Sequence, residues 1–439
     1  MSYRMDNSSI YLGRQPILDR DGRLYGYELL FRSAQAQDRA VVRDDSAATA
    51  TVITRAFGEL SLGKALDAKK VFINIGEELL FSDVLEFLSP EQVVLEILET
   101  VAITPRVVAR CEDLRGKGFT LALDDILEIT PAIEPLLPLV GIIKLLLLDD
   151  WAEKAPRLVE AVAQRPIKLL AERVETREQF QKCAALGISL FQGYFFTRPS
   201  VLQGRALSQD RLTLMLLLNQ ILEDADTAVL ENTFKNTPAL SINLLRLTNS
   251  VAFGHRVQII SLRHAITLLG RRQLQRWLQL LLFSSNDRHV QLGDNPLLQL
   301  AATRACLMEK LVRMEKPSEQ TLAELAFMVG IMSQVPAILD ISMKEVLSQL
   351  TNLPPMVHEA LLDRAGYLGQ LLSIAESLES DENPASLIER ISDSRDFRKL
   401  RPAALNYLHC EAMAWAANLG QAMDRRDTRE TTEKNHENI

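Results

Sequence analysis

The stretch "FTLALDDILEI" (residues 119–129) is a short apolar run that ends on two adjacent acids, Asp124 and Asp125, and then turns apolar again. A run of this length and composition reads as a buried strand. The acid pair at its end is then a helix cap, a solvated turn or a ligand set. Working outward, similar runs recur through the first two hundred residues: "YGYELLF", "KVFINIG", "VVLEILE", "GIIKLLL", "IKLLAE" and "ISLFQG", spaced by longer amphipathic segments. Such alternation predicts a parallel α/β sheet or barrel. Polar residues sit near the ends of these runs, namely Glu28, Asn74, Glu96, Asp124, Asp125, Lys144, Glu172 and Gln192. In a (β/α)8 TIM-like barrel the C-terminal strand ends converge on one mouth, where such barrels do their chemistry.

Carboxylates with an Asn carbonyl form a hard-oxygen donor set that suits Mg2+ or Mn2+. Two such ions about 3.5–4 Å apart can activate water and stabilise both oxygens of a phosphoryl displacement. Neighbouring strand residues point to opposite faces, so Asp124 and Asp125 reach one site only if the strand ends between them. Lys144, inside "GIIKLLLL", needs a partner for its buried ammonium, with Glu172 or Asp125 the best placed by this reading.

The chain has 439 residues, enough for two domains each with its own core. A net charge of −8 argues against direct nucleic-acid binding through overall basicity. Cys111, Cys183, Cys306 and Cys410 lie far apart without CxxC spacing, which suggests neither a disulfide framework nor a zinc ribbon and fits a reducing cytoplasm. The N-terminus lacks an apolar signal core, and "PLLPLVGIIKLLLLDD" is broken by Lys144 short of a membrane span, so a soluble, cytoplasmic protein is expected.

After "GYFFTRPS" the period changes from strand-like to helical, and an all-α domain is expected from residue 210, joined through a linker at 200–209 to a barrel over 1–199. It is expected to run to 422 and to be followed by a polar, disordered tail over 423–439. The six histidines show no close ligand spacing, and "GRRQLQR", with Arg271, Arg272 and Arg276, is either a solvated helix face or a small cationic patch.

Two segments carry a family resemblance. "YGYELLFR", the opening "GRQPILD" and the acid series make the first half resemble an EAL domain, the TIM-barrel phosphodiesterase family that opens cyclic di-GMP to linear pGpG. The resemblance implies metal ligands Glu28, Asn74, Glu96 and Asp124 for one ion and Asp125 with Glu172 for a second. It also implies Lys144 as a catalytic lysine beside Asp125 and Glu172, and substrate contacts from Arg32, Gln192 and Glu175. Glu99 falls where the family steadies the loop after its DDFG segment. The second half is similar to an HDOD domain, an HD-like fold lacking the HD metal residues, through Pro238 to Leu240, Leu244 to Ser250 and Ser261 to Gly270. This implies a non-catalytic module that binds other signalling proteins, and EAL barrels often pair, so a homodimer is expected.

Three supporting segments depart from the family pattern. DDFGxG reads "DDILEI", so Leu127 stands for a glycine and is expected to remove φ > 0 freedom from the loop; KxD reads "KLL", with Leu146 for the acid; and EGVE reads "ERVE", with Arg173 for glycine. The resemblance therefore leaves open a weak metal-dependent phosphodiesterase, a cyclic di-GMP receptor without turnover, or a nucleotide-independent interaction scaffold.

Overall fold

The apolar runs form strands because their side chains alternate between the barrel interior and the surrounding helices. In the computed structural model, which describes residues 10–33, 53, 69–147, 151–197, 209–249, 259, 261–283, 294–350, 352–380, 384–392 and 396–436, they close into an eight-stranded barrel in sequence order. Its strands are β1 (Ile10–Asp19), β2 (Leu24–Ser33), β3 (Lys70–Ile75), β4 (Val93–Ile97), β5 (Thr120–Leu123), β6 (Ile142–Leu146), β7 (Lys168–Glu172) and β8 (Leu190–Gln192).

β1, "IYLGRQPILD", is absent from the run pattern because Arg14, Gln15 and Pro16 interrupt its apolar residues. It also departs from the all-parallel expectation by lying antiparallel to both β2 and β8. The cause is local: only residues 20–23 separate β1 from β2, far too few for a parallel crossover. Asp19 builds that turn, its Oδ1 accepting from the N–H groups of Asp21 and Arg23 at 2.9 Å each.

Ile17, Phe72, Val94, Ala122, Ile142, Leu170 and Leu190 fill the barrel interior. Strand alternation puts the residue two further along on the same side, one layer nearer the mouth. For six of these positions that residue is Asn74, Glu96, Asp124, Lys144, Glu172 or Gln192. Helices α1 (Glu77–Leu80), α2 (Pro105–Gly116), α3 (Trp151–Val162) and α4 (Arg177–Ala185) accompany the barrel. α4 starts at a capping box, Thr176 accepting from the Gln179 N–H while Gln179 accepts from the Thr176 N–H.

The described elements of the second half are helices: α5 (Gln209–Leu222), α6 (Thr227–Lys235), α7 (Pro238–Thr248), α8 (Leu262–Leu281), α9 (Pro296–Glu315), α10 (Gln320–Met332), α11 (Val335–Leu339), α12 (Met343–Gln349), α13 (Pro355–Asp363), α14 (Gly366–Ser377), α15 (Ala385–Ser392) and α16 (Pro402–His436). Most of the linker expected at 200–209 lies outside the described residues, as does Ser250; Gln209 already opens α5. Asn249 caps α7, donating to the Leu245 carbonyl at 2.8 Å and exchanging two 2.7 Å bonds with the Ile259 backbone. The segment Gln320–Leu339 is long and apolar enough to cross a membrane by composition, with mean hydropathy 1.7, but 61% of it is buried here as core.

The helix α16 continues to His436, into the stretch 423–439 whose composition is that of a tail; residues 437–439 lie outside the described residues. A helix already nucleated by packed turns extends at low cost, and Arg, Glu and Lys propagate it well. The four cysteines are buried and free.

Candidate metal centre at the barrel mouth

Lys144 occupies the middle of the acid series, only 1% exposed. Its Nζ lies 2.9 Å from Asp124 Oδ1, 3.0 Å from Glu96 Oε1 and 3.4 Å from Glu28 Oε2, and it also pairs with Glu172 Oε1. Glu172 was an expected partner; Asp124, rather than Asp125, is the aspartate within ion-pair reach. Glu28 is held further by Asn74 Nδ2, which donates to its Oε1 at 2.7 Å, and by Gln192 Nε2, which donates to its Oε2 at 2.6 Å.

Electrostatics follow from burial and crowding. Burial works to raise the Glu28 carboxyl, but the Lys144 ammonium and the hydrogen bonds from Gln192 and Asn74 outweigh it and hold it below the usual glutamate range. Glu96, fully buried, is pushed well above that range by desolvation, which the neighbouring acids reinforce. Desolvation likewise lifts Glu172 to about 8. Burial would lower Lys144, yet the charges of Glu172, Glu28, Glu96 and Asp124 keep it well above the ordinary lysine value.

Asp124 and Asp125 follow the end of β5 at Leu123, one residue earlier than their shared use of a site demands. What brings them together is Asp125 at φ 50, a left-handed turn, pinned after it by the Ile126 N–H donating to the Lys144 carbonyl at 2.9 Å. Oxygens of Asp124, Asp125 and Glu172 consequently come within 4.8 Å of one another. Desolvation, then the Asp124 charge, raises the Asp125 carboxyl, and Glu99 adds to this from its exposed position. Leu127 is not at positive φ, contrary to the expectation that a glycine is needed there; the left-handed residues near the mouth are Asp125 and Arg173, the latter at φ 54. Leu146 is the next inward position on β6 after Lys144 and pairs in register with Glu172.

Thus Glu28, Asn74, Glu96, Asp124, Asp125, Lys144, Glu172 and Gln192 converge, whereas Glu175 is exposed beyond β7, its N–H donating to Gln179 at 2.8 Å. Arg32 lies further up β2, its Nη1 3.5 Å from the Ser377 carbonyl. Gln15 escaped the sequence reading: it is 8% exposed and accepts from Gln192 Nε2. Its signal was the opening "GRQPILD", whose glutamine faces Glu28 across the β1–β2 register.

The donor set fits divalent cations. Glu96 Oε2, Asn74 Oδ1 and Gln192 Oε1 are buried without a hydrogen-bond partner, and Glu96 Oε1, Asp124 Oδ1 and Glu172 Oε1 face the ammonium without hydrogen-bond alignment. Four carboxylates, from Glu28, Glu96, Asp124 and Glu172, pair with one ammonium and Asp125 adds a fifth beside Asp124 and Glu172, an excess of hard negative oxygens that a cation would neutralise.

In the helical half, the arginines of "GRRQLQR" are each engaged: Arg271 with Asp224 at 3.1 Å, Arg272 with Glu324 at 2.9 Å and Arg276 with Glu309 at 2.6 Å. They form ion pairs rather than an open cationic patch. His264 lies in the first turn of α8, its N–H donating to the N-cap Ser261 Oγ at 3.4 Å.

An HDOD domain model matches residues 211–353. The YuxH protein of Bacillus subtilis is 29% identical over 418 residues, 94% of this chain and 99% of its own. The cyclic di-GMP phosphodiesterase CdgJ of Vibrio cholerae is 33% identical over 375 residues, covering 84% of each chain. A solved standalone EAL protein from Vibrio cholerae O395, in its c-di-GMP-bound form, is 22% identical over 44% of this chain and 92% of that one, with a TM-score of 0.34. With an eight-stranded barrel followed by an HDOD domain, and with identity to CdgJ extending across both, the chain belongs to the EAL–HDOD family of signalling proteins.

Proposed function

We propose that the barrel, spanning residues 1–199, binds cyclic di-GMP with divalent cations and hydrolyses it slowly to linear pGpG, under the control of the helical domain from residue 210. The observation that carries this reading is the excess of buried carboxylate around Lys144, whose partnerless oxygens are costly unless a cation enters. Similarity to CdgJ supports the choice of nucleotide.

Glu28, Asn74, Glu96 and Asp124 would hold one Mg2+ or Mn2+, and Asp125 with Glu172 a second. Bound there, the ions would supply Lewis acidity at a phosphate oxygen and acidify a water. The chain's own groups do the rest. Lys144 and Asp125 orient the attacking water, Gln192 fixes Glu28 and faces the substrate, and Arg32, with Glu175 at the rim, positions the nucleotide. A partner-binding HDOD half and pairing of barrels complete the proposal.

Slow turnover follows from Leu146, an apolar side chain at the inward position next to Lys144, where the family pattern has an acid. The same feature favours a second reading, a receptor that binds without cleaving. The test is chromatography of cyclic di-GMP incubated with the intact chain and Mn2+, alongside Glu28→Ala and Leu146→Asp. We expect metal-dependent pGpG, its loss in Glu28→Ala and an increase of about tenfold in Leu146→Asp. Binding without product in all three chains supports the receptor, and absence of binding by a folded wild type overturns both readings.

A further inference from the structure

The pairing that closes the barrel between β1 and β8 is short, holding only Ile17, Leu18 and Asp19 against Gln192, Phe191 and Leu190. β8 has three residues and β1 ten, so residues 10–16 bond to β2 along one edge and, among the described residues, have no strand on the other. A bare, buried edge would be unfavourable. The helical domain covers it instead. The Arg14 N–H donates to the Leu378 carbonyl, just past the end of α14, at 3.0 Å. From α16, Asn406 Oδ1 accepts from the Leu12 N–H at 2.8 Å, and His409 Nδ1 donates to the Leu12 carbonyl at 3.0 Å. Burial, then the Arg14 charge, lowers His409 to about 4, so the ring is neutral, and the carbonyl fixes its proton on Nδ1.

Gly13 permits this approach: a Cβ there would stand 2.4 Å from the Leu378 carbonyl oxygen. The same stretch reaches the other side of the seam, where Tyr194 Oη donates to the Glu379 carbonyl at 3.1 Å. Glu379 is itself anchored by Arg304, whose Nε lies 2.9 and 3.0 Å from its two oxygens. Gln15 and Gln192, bonded to each other inside the mouth, stand one residue from Arg14 and two from Tyr194. Gly193 between Gln192 and Tyr194 has φ 142 and packs so tightly that a Cβ would meet the Val174 carbonyl oxygen at 2.2 Å, leaving that connection little play.

We propose that residues 377–379 and the start of α16 form a latch that completes the barrel wall, through which repacking of the helical domain loosens Gln15 and Gln192 and lowers cyclic dinucleotide affinity. The inference rests on the cyclic di-GMP reading above. In the full chain, Gly13→Ala drives a Cβ against Leu378, Asn406→Leu removes the acceptor for Leu12, and Asn406→Asp keeps one. Hydrogen–deuterium exchange over residues 10–17 reads the latch, thermal melting the fold, and calorimetry reads Mn2+ alone and cyclic di-GMP with Ca2+.

The expected result is faster exchange over 10–17 and dinucleotide binding about tenfold weaker in Gly13→Ala and Asn406→Leu, with Mn2+ affinity within about twofold of wild type and recovery in Asn406→Asp. Unchanged nucleotide affinity despite faster exchange overturns the coupling. Unchanged exchange in folded variants overturns the latch itself. A wild type that binds Mn2+ but no cyclic di-GMP sinks the functional reading as well, a distinct outcome.

Discussion

Replacing Lys144 with Met removes the ammonium that now faces Glu28, Glu96, Asp124 and Glu172, and the consequence can be worked from their geometry. The folded Lys144 value lies above the unfolded one, so its contribution is fully present below about pH 10.5 and is lost only as pH rises through the folded value. At pH 7.5 the whole contribution is therefore at stake. Breaking a buried pair by deleting one partner costs about 3–5 kcal/mol. Glu96 and Glu172, already raised, the latter to about 8, can take protons and so bring the loss to the low end, about 3 kcal/mol. For a barrel of roughly 200 residues this lowers Tm by about 6–12 °C. Mn2+ at about 100 times its Kd returns about 2.7 kcal/mol, most of the deficit. Thermal melts of both proteins in EDTA and in Mn2+ measure this directly. A variant that melts within about 2 °C of wild type in EDTA, or that gains nothing from Mn2+, refutes the account of Lys144 as internal counterion.

Two further outcomes follow from the same site. Arg173 sits at φ 54, a conformation costing a side chain about 1–2 kcal/mol, so Arg173→Gly is expected to raise Tm by roughly 2–8 °C; a lower Tm would mean the arginine's contacts outweigh the backbone relief. Metal affinity should also depend on pH. Glu172, lifted to about 8, holds a proton below that value, and a ligand must shed it, so Mn2+ binding is expected to weaken about tenfold per unit as pH falls from about 8 towards 6. Calorimetry in buffers of different ionisation enthalpy should show at least one proton released, and pH-independent affinity would count against Glu172 as a ligand.

The acid series was legible because strand alternation converts sequence into direction. Asn74, Glu96, Lys144 and Glu172 each stand two residues beyond Phe72, Val94, Ile142 and Leu170, which line the interior, and the same spacing is visible in the bare sequence. β1 was not legible, since Arg14 and Gln15 are polar on both faces and find their partners elsewhere. Gln15 meets Gln192 across the seam, and the β1 edge is completed by Asn406, 394 positions from Leu12. No local pattern carries a contact of that separation. The dihedral at Asp125 was equally hidden: the loop places its left-handed turn on the second acid, so the glycine position expected at Leu127 makes no such demand.

The placement of Lys144 shifts where any loss of turnover resides. Its four carboxylate partners are assembled by the strands, and the ammonium offsets part of their repulsion, so the ligand geometry does not wait for a cation to organise it. Cations entering among those oxygens would weaken several of the pairs at once, and the lysine then needs another acceptor to stay near the substrate. Along β6 the next inward residue is Leu146, across the register from Glu172, and it has no carboxylate to offer. A fully assembled acid cluster and slow chemistry are therefore compatible in one barrel. On the proposed reading, binding would draw on Glu28, Asn74, Glu96, Asp124, Asp125 and Glu172, while turnover would depend also on how Lys144 is held once those carboxylates are engaged elsewhere. That separation is why Leu146→Asp, which leaves every proposed ligand in place, tests the rate without testing the site.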